Sequence, residues 1–105
     1  MSSKKLDLVK KLIESDFVVI FSKTFCPHCN VTKNIFEDID QNFTAIELDR
    51  RKDCEEIQKV LKRITGARTV PRVFVNGVFI GGASDVKELY ENGDLLKYLN
   101  NYNRT

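Results

Sequence analysis

Along the first two thirds of the chain, segments whose apolar residues have helical spacing alternate with segments whose apolar residues have the spacing of a strand. Apolar positions three or four apart predict amphipathic helices from about Lys4 to Glu14 and from Pro27 to about Ile39. The uninterrupted apolar run within Phe17 to Ser22 predicts a strand covered on both faces. A second strand is predicted from Phe43 to Leu48, parallel to the first because a helix lies between them. A third helix is predicted to end at Gly66.

The last third of the chain contains the plainest turn signal. Asn76-Gly77 separates two β-rich runs, and this pair favours a two-residue hairpin turn because both positions need positive φ. Ser84 or Asp85 is predicted to cap a short helix, and Asp94 to begin a final one. The polar tail Asn100 to Thr105 is expected to fray. The predicted element order is therefore α-β-α-β-α-β-β-α-α.

Composition narrows the class of protein. The 105 residues include 42% hydrophobic and 30% charged side chains, as in ordinary globular proteins, and the length predicts one domain over residues 1–105. The net charge of +2 comes without a basic stripe interleaved with aromatic residues, so nucleic acid is not expected as a partner. No segment reads as a signal peptide or a membrane span, so no membrane association is expected either.

Cysteine usage indicates redox chemistry or metal binding. The chain has three cysteines, so a monomer keeps at least one of them unpaired. Because no signal peptide is predicted, this odd number favours a reducing compartment, and we expect the protein in the cytoplasm. In such a compartment a Cys-X-X-Cys pair indicates catalysis or metal binding rather than a structural disulfide.

Cys26 and Cys29 form such a pair where the first predicted strand leads into the second helix. The start of a helix has free N–H groups and partial positive charge, and both stabilise a thiolate. Helix N-termini, nearby cations and Cys-X-X-Cys motifs lower a cysteine pKa from about 8.5 to roughly 3.5–7.5. Cys26 meets all three conditions if Lys23 supplies the cation, and Pro27 suits the first helical position. Cys26 is therefore predicted to be a reactive thiolate, with Cys29 within reach of a disulfide one turn later.

The element order and this junction are typical of a thioredoxin-like fold. This is an α/β fold with a four-stranded mixed sheet flanked by helices on both faces. The chain resembles a dithiol glutaredoxin over nearly its whole length, because four motifs occur in that family's order. They are Lys23 to Cys29, Thr65 to Arg72, Asn76-Gly77 and Gly81 to Asp85.

The resemblance implies a glutathione-dependent thiol-disulfide oxidoreductase that reduces protein–glutathione mixed disulfides and protein disulfides. Cys26 would be the nucleophile and Cys29 the resolving thiol, needed for protein disulfides and dispensable for mixed disulfides. Glutathione would be the reducing co-substrate. The other partners would be glutathionylated or disulfide-containing proteins, and we expect a monomer.

Glutathione has a carboxylate at each end and an ammonium group at its γ-glutamyl end, so a site for it needs cations or N–H groups at both ends. Lys23 can meet the glycine carboxylate, and the resemblance places a glutathione-contacting glutamine at Gln58. Thr69, Val70 and Pro71 precede the third strand. The resemblance implies a cis bond before Pro71, which would turn the Val70 backbone toward the cysteine of glutathione so that the two chains pair like strands.

The other end of the predicted site lies at the Gly81 to Asp85 motif. Gly82 permits close approach of the ligand. The helix beginning at Ser84-Asp85 offers N–H groups and a hydroxyl to the γ-glutamyl carboxylate, and the Asp85 side chain can pair with the ammonium group.

His28 departs from the tyrosine that is usual in the family at this position. With a reference pKa of about 6.5, it either adds a second cation beside Cys26 or merely replaces the tyrosine ring at the site. Cys54 has no partner placed by any motif and is predicted to be a non-catalytic thiol. It would still be open to glutathionylation, or to cross-linking two chains under oxidation.

Two other classes of function remain open. A thioredoxin-type protein would share the fold without needing a glutathione site. Some glutaredoxins hold an iron–sulfur cluster, but Pro27 is typical of members that do not. A zinc site would need four ligands, and one Cys-X-X-Cys with His28 and Cys54 lacks a second spaced pair. No metal is therefore expected.

Overall fold

Helices and strands alternate in the order that the hydrophobic pattern predicts. A computed structural model describes residues 3–102. Within that range, helices α1 to α5 cover Ser3–Ile13, Pro27–Asp38, Cys54–Thr65, Ala83–Glu91 and Asp94–Tyr102. Strands β1 to β4 cover Val18–Ser22, Thr44–Glu47, Arg72–Val75 and Val78–Gly81. Among these described residues, every helix is too short or too polar to cross a bilayer.

The four strands form one mixed sheet in the order β2-β1-β3-β4. β1 runs parallel to β2, and β3 runs antiparallel to both β1 and β4. In the β3–β4 turn Asn76 has φ +50° and Gly77 has φ +80°, the left-handed conformation that this hairpin turn requires. The predicted parallel crossover, hairpin and four-stranded mixed sheet are confirmed.

Strand β1 lies inside the sheet and is buried along its whole length. Val19 and Phe21 point to one face, where they pack with α1 and α3. Val18 and Ile20 point to the other face, where they pack with α2, α4 and α5. A fully buried side chain of this size contributes roughly 1.5–3 kcal/mol, so β1 is firmly fixed between the two cores. Its carboxyl end therefore gives the following residues a rigid base.

The start of α4 differs from the prediction. The helix begins at Ala83 with Gly82 as its N-cap, so the expectation that Ser84 or Asp85 caps it was wrong. The physical reason is that the Asp85 carboxylate reaches back and accepts a hydrogen bond from the Gly82 N–H at 3.0 Å. An acidic side chain at the third helical position stabilises the helix start in this way without itself being the cap.

The end of α5 also differs from the prediction. Asn100 to Tyr102 continue the helix, so the expected fraying was wrong for these residues. The Tyr102 ring packs edge-on against Phe17 and Tyr98, with ring centroids 6.2 and 5.2 Å away, and these contacts hold the last turn. The rest of the predicted tail, residues 103–105, lies outside the described residues.

Candidate active site

Cys26 is the N-cap residue of α2. Its backbone is extended, with φ −97° and ψ 113°, and its Sγ accepts a hydrogen bond from the Cys29 N–H at 3.3 Å. Pro27 follows in the first turn, where a missing N–H costs nothing. A helix N-cap side chain normally supplies an oxygen that accepts such an N–H. The structure thus places the sulfur where a capping oxygen normally stands.

Cys29 lies one turn further along α2 and is fully buried. Its pKa is raised to about 11, first by burial and second by the neighbouring Cys26 thiol. The Lys23 backbone and the Ser22 side chain oppose this shift. Cys29 is therefore protonated at neutral pH, whereas the half-buried Cys26 is accessible. The two cysteines of one motif are suited to different steps of a reaction.

The loop before Cys26 is tied to the segment that follows β2. The Thr24 N–H donates to Asp49 Oδ1 at 2.9 Å, and the Thr24 hydroxyl donates to Asp49 Oδ2. Asp49 lies in a 3-10 turn, Leu48–Arg50, which the sequence analysis did not predict. The two Thr24 hydrogen bonds lower the pKa of Asp49, so this carboxylate is ionised at neutral pH and keeps the tie in place.

The segment that leads into β3 forms the wall opposite α2. The bond between Val70 and Pro71 is cis, as the resemblance implies. The Cys26 thiol points to the Val70 carbonyl oxygen at 3.9 Å. Val70 lies outside the β1–β3 register, which ends where Phe21 faces Arg72. The backbone around Val70 is thus close to the sulfur and beyond the paired part of the sheet.

Gln58 anchors that segment from below. Only 5% of its surface is exposed, and its Nε2 donates to the Arg68 carbonyl oxygen at 2.9 Å. Its Oε1 accepts from the Cys54 thiol at 3.4 Å. A direct contact between Gln58 and glutathione stays a prediction. What the structure provides is a support for the residues just before Thr69.

Cys54 is the first residue of α3, after the N-cap Asp53, and it is half-buried. All three thiols of the chain are free. Within residues 3–102, no three His, Cys, Asp or Glu side chains come close enough together to hold a metal ion.

Gly82 and Asp85 lie at the far end of the wall formed by Val70 and Pro71. A Cβ added at Gly82 would stand 3.4 Å from the Pro71 carbonyl oxygen, so the start of α4 approaches this wall closely. Cys26, Val70, Pro71, Gly82 and Asp85 therefore form one series of contacts, in which Pro71 and Gly82 are buried and the other three are accessible. We call this series the groove.

Three predicted site residues flank the groove without being fixed by it. The side chains of His28 and Ser84 are exposed, and that of Lys23 is half-buried. In the described part of the chain no ion pair engages the Lys23 ammonium group. Lys23 keeps its charge available for an anion from solution.

Sequence reasoning missed Thr24, Asp49 and Arg72. The parallel pairing of β1 and β2 brings Thr24 and Asp49 to one edge of the sheet, since each follows one of the two strands, but it does not reveal their hydrogen bonds. Arg72 gave a weaker signal. Its place before the apolar β3 residues puts it next to Pro71 but does not reveal what its guanidinium contacts.

Comparison with known proteins agrees with this geometry. The sequence model of the Glutaredoxin family matches residues 18–80. Glutaredoxin-C4 of Arabidopsis thaliana is 48% identical over 98 residues, which are 93% of this chain and 73% of that protein. Mitochondrial glutaredoxin-2 of Bos taurus is 47% identical over 88 residues, which are 84% of this chain and 56% of that protein. The chain thus spans only about half the length of the bovine relative.

Solved structures give the same result for the fold. The holo form of glutaredoxin C1 from Populus tremula x tremuloides has a TM-score of 0.91 at 36% identity, covering 94% of this chain and 98% of that one. The buckwheat glutaredoxin–glutathione complex has a TM-score of 0.87 at 35% identity, covering 96% of both chains. The predicted thioredoxin-like fold is confirmed. The chain belongs to the glutaredoxin family.

Proposed function

We propose that this glutaredoxin transfers electrons from glutathione to protein–glutathione mixed disulfides and to protein disulfides. The observation that carries the proposal is the position of one sulfur. Cys26 Sγ caps α2 and also stands 3.9 Å from the Val70 carbonyl, beside backbone that the sheet does not use. A thiolate there can attack a disulfide whose glutathionyl half lies along the groove. The glutathione complex of the buckwheat relative supports glutathione as the ligand.

Reduction of a mixed disulfide proceeds in two exchanges. The Cys26 thiolate attacks the glutathionyl sulfur, the substrate S–S bond breaks, and the electron pair leaves on the protein thiol, which then takes up a proton. Cys26 now forms a disulfide with glutathione. The thiolate of a second glutathione attacks the glutathionyl sulfur and releases Cys26 as a thiolate together with glutathione disulfide. In the net reaction the substrate S–S bond is replaced by the S–S bond of glutathione disulfide, and one free glutathione thiol is consumed.

Reduction of a protein disulfide needs the second cysteine. Cys26 attacks one sulfur of the substrate disulfide, the S–S bond breaks, and the electron pair leaves on the other substrate sulfur, which takes up a proton. Cys29 then loses its proton and attacks Cys26 Sγ, and the electron pair leaves on the substrate sulfur that was bonded to Cys26. This step closes a Cys26–Cys29 disulfide that two glutathione molecules reduce. Because the pKa of Cys29 is about 11, proton loss from Cys29 limits this branch at neutral pH.

We propose that glutathione lies with its glycine carboxylate toward Lys23 and Gln58 and its γ-glutamyl end toward α4. Its cysteine backbone would pair with Val70, between Thr69 and Pro71. The charge pattern supports this direction, since Lys23 is a cation without an ion pair in the described part of the chain.

At the other end of the ligand, Gly82 would permit close approach, and the first turn of α4, with Ser84, offers N–H groups and a hydroxyl to the γ-glutamyl carboxylate. Asp85 offers its carboxylate to the ammonium group. His28 is proposed to border the ligand's cysteine on the α2 side.

The direct test is turnover of a glutathionylated peptide with glutathione as sole thiol, recycled by glutathione reductase and NADPH. We expect NADPH consumption that depends on Cys26. A thioredoxin-type protein would instead turn over only with thioredoxin reductase as the electron donor. NADPH consumption with that enzyme, and none with glutathione, would contradict the proposal.

Cell location, domain number and oligomeric state stay predictions. We propose a cytoplasmic, single-domain, monomeric protein, without nucleic acid or membrane as partner. Fractionation of cells that express the full-length protein tests the location, since the bovine relative is named as mitochondrial. Light scattering with and without an oxidant tests the monomer. A dimer that forms under oxidation and is absent from Cys54→Ser would identify Cys54 as the cross-linking thiol.

A further inference from the structure

Arg72 makes more contacts with the groove residues than its place at the start of β3 suggests. Its Nε donates to the Pro71 carbonyl oxygen at 3.1 Å, and its Nη2 lies 3.4 Å from the Thr69 hydroxyl oxygen. The guanidinium carbon sits 5.2 Å from the centre of the Phe79 ring, a cation–π distance. Arg72 thus contacts both Thr69 and Pro71, and its own position is supported by the Phe79 ring of β4.

The guanidinium also fills the space beside Gly82. A Cβ added at Gly82 would stand only 2.7 Å from Arg72 Nη2, closer than real Cβ contacts allow. Gly82 has φ −96°, a conformation open to any residue, so backbone geometry does not demand glycine here. A methyl group at Gly82 would instead displace the end of the Arg72 side chain. The two residues are complementary in shape across the groove.

The charge of Arg72 suits the same end of the site. Burial lowers the pKa of Arg72, while the nearby Asp85 carboxylate acts in the opposite direction. An arginine remains protonated at neutral pH even so, because its ordinary pKa lies above 12. The Arg72 guanidinium therefore places a positive charge beside Pro71, near the N-terminus of α4.

We infer that Arg72 is a positioning residue for glutathione, clamping the wall of Thr69 to Pro71 against Gly82 at the start of α4. The inference rests on the proposed glutathione-dependent function and extends it. Without the clamp the two halves of the groove are no longer held at a fixed separation, so the ligand would bind less tightly. Cys26 would keep its N-cap hydrogen bond from the Cys29 N–H, which does not involve the wall or Arg72.

The first test separates binding from chemistry. Arg72→Met keeps an unbranched apolar side chain over Phe79 and loses the hydrogen bonds. We expect its KM for a glutathionylated peptide to rise about tenfold, the effect of losing one or two charge-assisted hydrogen bonds, with kcat and the Cys26 alkylation rate within about twofold of wild type. Arg72→Lys keeps the charge without the planar fork and should recover only part of the loss. Arg63→Met, at an exposed position of α3, is the matched control and should leave KM unchanged.

The second test uses the complementarity of Arg72 and Gly82. Gly82→Ala should raise KM and lower the melting temperature in the wild-type background, because the new methyl group meets the guanidinium. In an Arg72→Ala background Gly82→Ala should change KM and the melting temperature much less, because the guanidinium that the methyl group would meet is absent. The melting temperature serves as a readout that needs no glutathione.

Strict additivity of the two changes, or an unchanged KM in Arg72→Met, would overturn the inference while the wild-type protein still turned over with glutathione. Absence of glutathione-dependent turnover in the wild type would instead refute the proposed function, and the role of Arg72 with it.

Discussion

Two helices of this protein have a cysteine at or next to their first residue, but only one of the two sulfurs accepts a helical N–H. At the start of α2 the Cys26 sulfur accepts the N–H of Cys29 at 3.3 Å. At the start of α3 the Cys54 thiol donates to Gln58 Oε1 at 3.4 Å. Cys26 is the N-cap, whereas Cys54 is already inside the helix. Proximity to a helix start is therefore not enough, since only the capping position turns the sulfur into an acceptor.

The charges around the two helix starts differ in the same sense. The first turn of α2 has no acidic residue, so its partial positive charge is left for the Cys26 sulfur. The first turn of α3 contains Glu55 and Glu56 and is preceded by Asp53. These three carboxylates already offset the partial positive charge of that helix start. The difference predicts a reactive thiol at α2 and an ordinary one at α3.

The largest effect should come from removing each sulfur in turn. We expect Cys26→Ser to lower turnover of a glutathionylated peptide about a thousandfold or more, because the nucleophile is lost. Cys54→Ser should stay within about twofold of wild type. The coupled NADPH assay measures both. Equal losses in the two variants would mean that Cys54 takes part in the reaction.

Replacing Cys29 should affect activity toward the two kinds of substrate differently. Cys29→Ser is expected to retain most of the activity toward a glutathionylated peptide and to lose at least about tenfold toward a protein disulfide, since only the latter needs a resolving thiol. In the wild type the protein-disulfide branch should accelerate as pH rises from 7 to 9, because more Cys29 is ionised as the pH approaches its pKa of about 11. If Cys29→Ser failed on both substrates alike, the assigned roles would be wrong.

The charge difference between the helix starts can be reversed by one substitution. His28→Glu gives α2 an acidic residue where α3 has Glu55. It should slow Cys26 alkylation at pH 7 about two- to fivefold relative to His28→Gln, which removes the histidine without adding charge. The converse variant, Glu55→Gln, should speed Cys54 alkylation by a smaller factor. Equal rates in His28→Glu and His28→Gln would show that the helix charge does not govern Cys26.

The smallest effect concerns the anchoring of α3. The Arg51 and Lys5 side chains hold the pKa of Asp53 at about 2, with the Arg51 hydrogen bond acting most strongly. Since this value lies below the ordinary 3.8, the stabilisation is complete above about pH 4 and is lost as pH falls toward 2. Asp53→Asn should cost about 1 kcal/mol or less at pH 7 and only a small part of that near pH 2. Thermal unfolding at the two pH values measures this, and an equal cost at both would refute it.

The sequence predicted those features that neighbouring residues decide. The apolar run of β1 and the Asn76-Gly77 turn determine their own local structure, and the two together specify most of the sheet. Cys26 was predicted for the same reason, since the strand, the proline and the helix around it adjoin in sequence. The predicted start of α4 was wrong because Ser84 and Asp85 both favour the capping position. The hydrogen bond that the Asp85 carboxylate accepts from the Gly82 N–H makes Gly82 the N-cap instead.

Features that depend on side chains distant in sequence could not be predicted in detail. Thr24 and Asp49 are 25 residues apart and meet only because β1 and β2 end side by side. The contact of Arg72 with Gly82 depends on how one long side chain packs across the groove. Close approach of a ligand at Gly82 stays a prediction, and the structure adds that a Cβ there would stand 2.7 Å from Arg72 Nη2.

The pH dependence of alkylation at Cys26 and Cys54, followed by mass spectrometry in one sample, tests the central claim most directly. The ratio of the rate at pH 6.5 to the rate at pH 8.5 cancels differences in access between the two sites. We predict a ratio at least about fivefold higher for Cys26 than for Cys54, because only the Cys26 sulfur accepts a helical N–H. Equal ratios at the two cysteines would contradict the account.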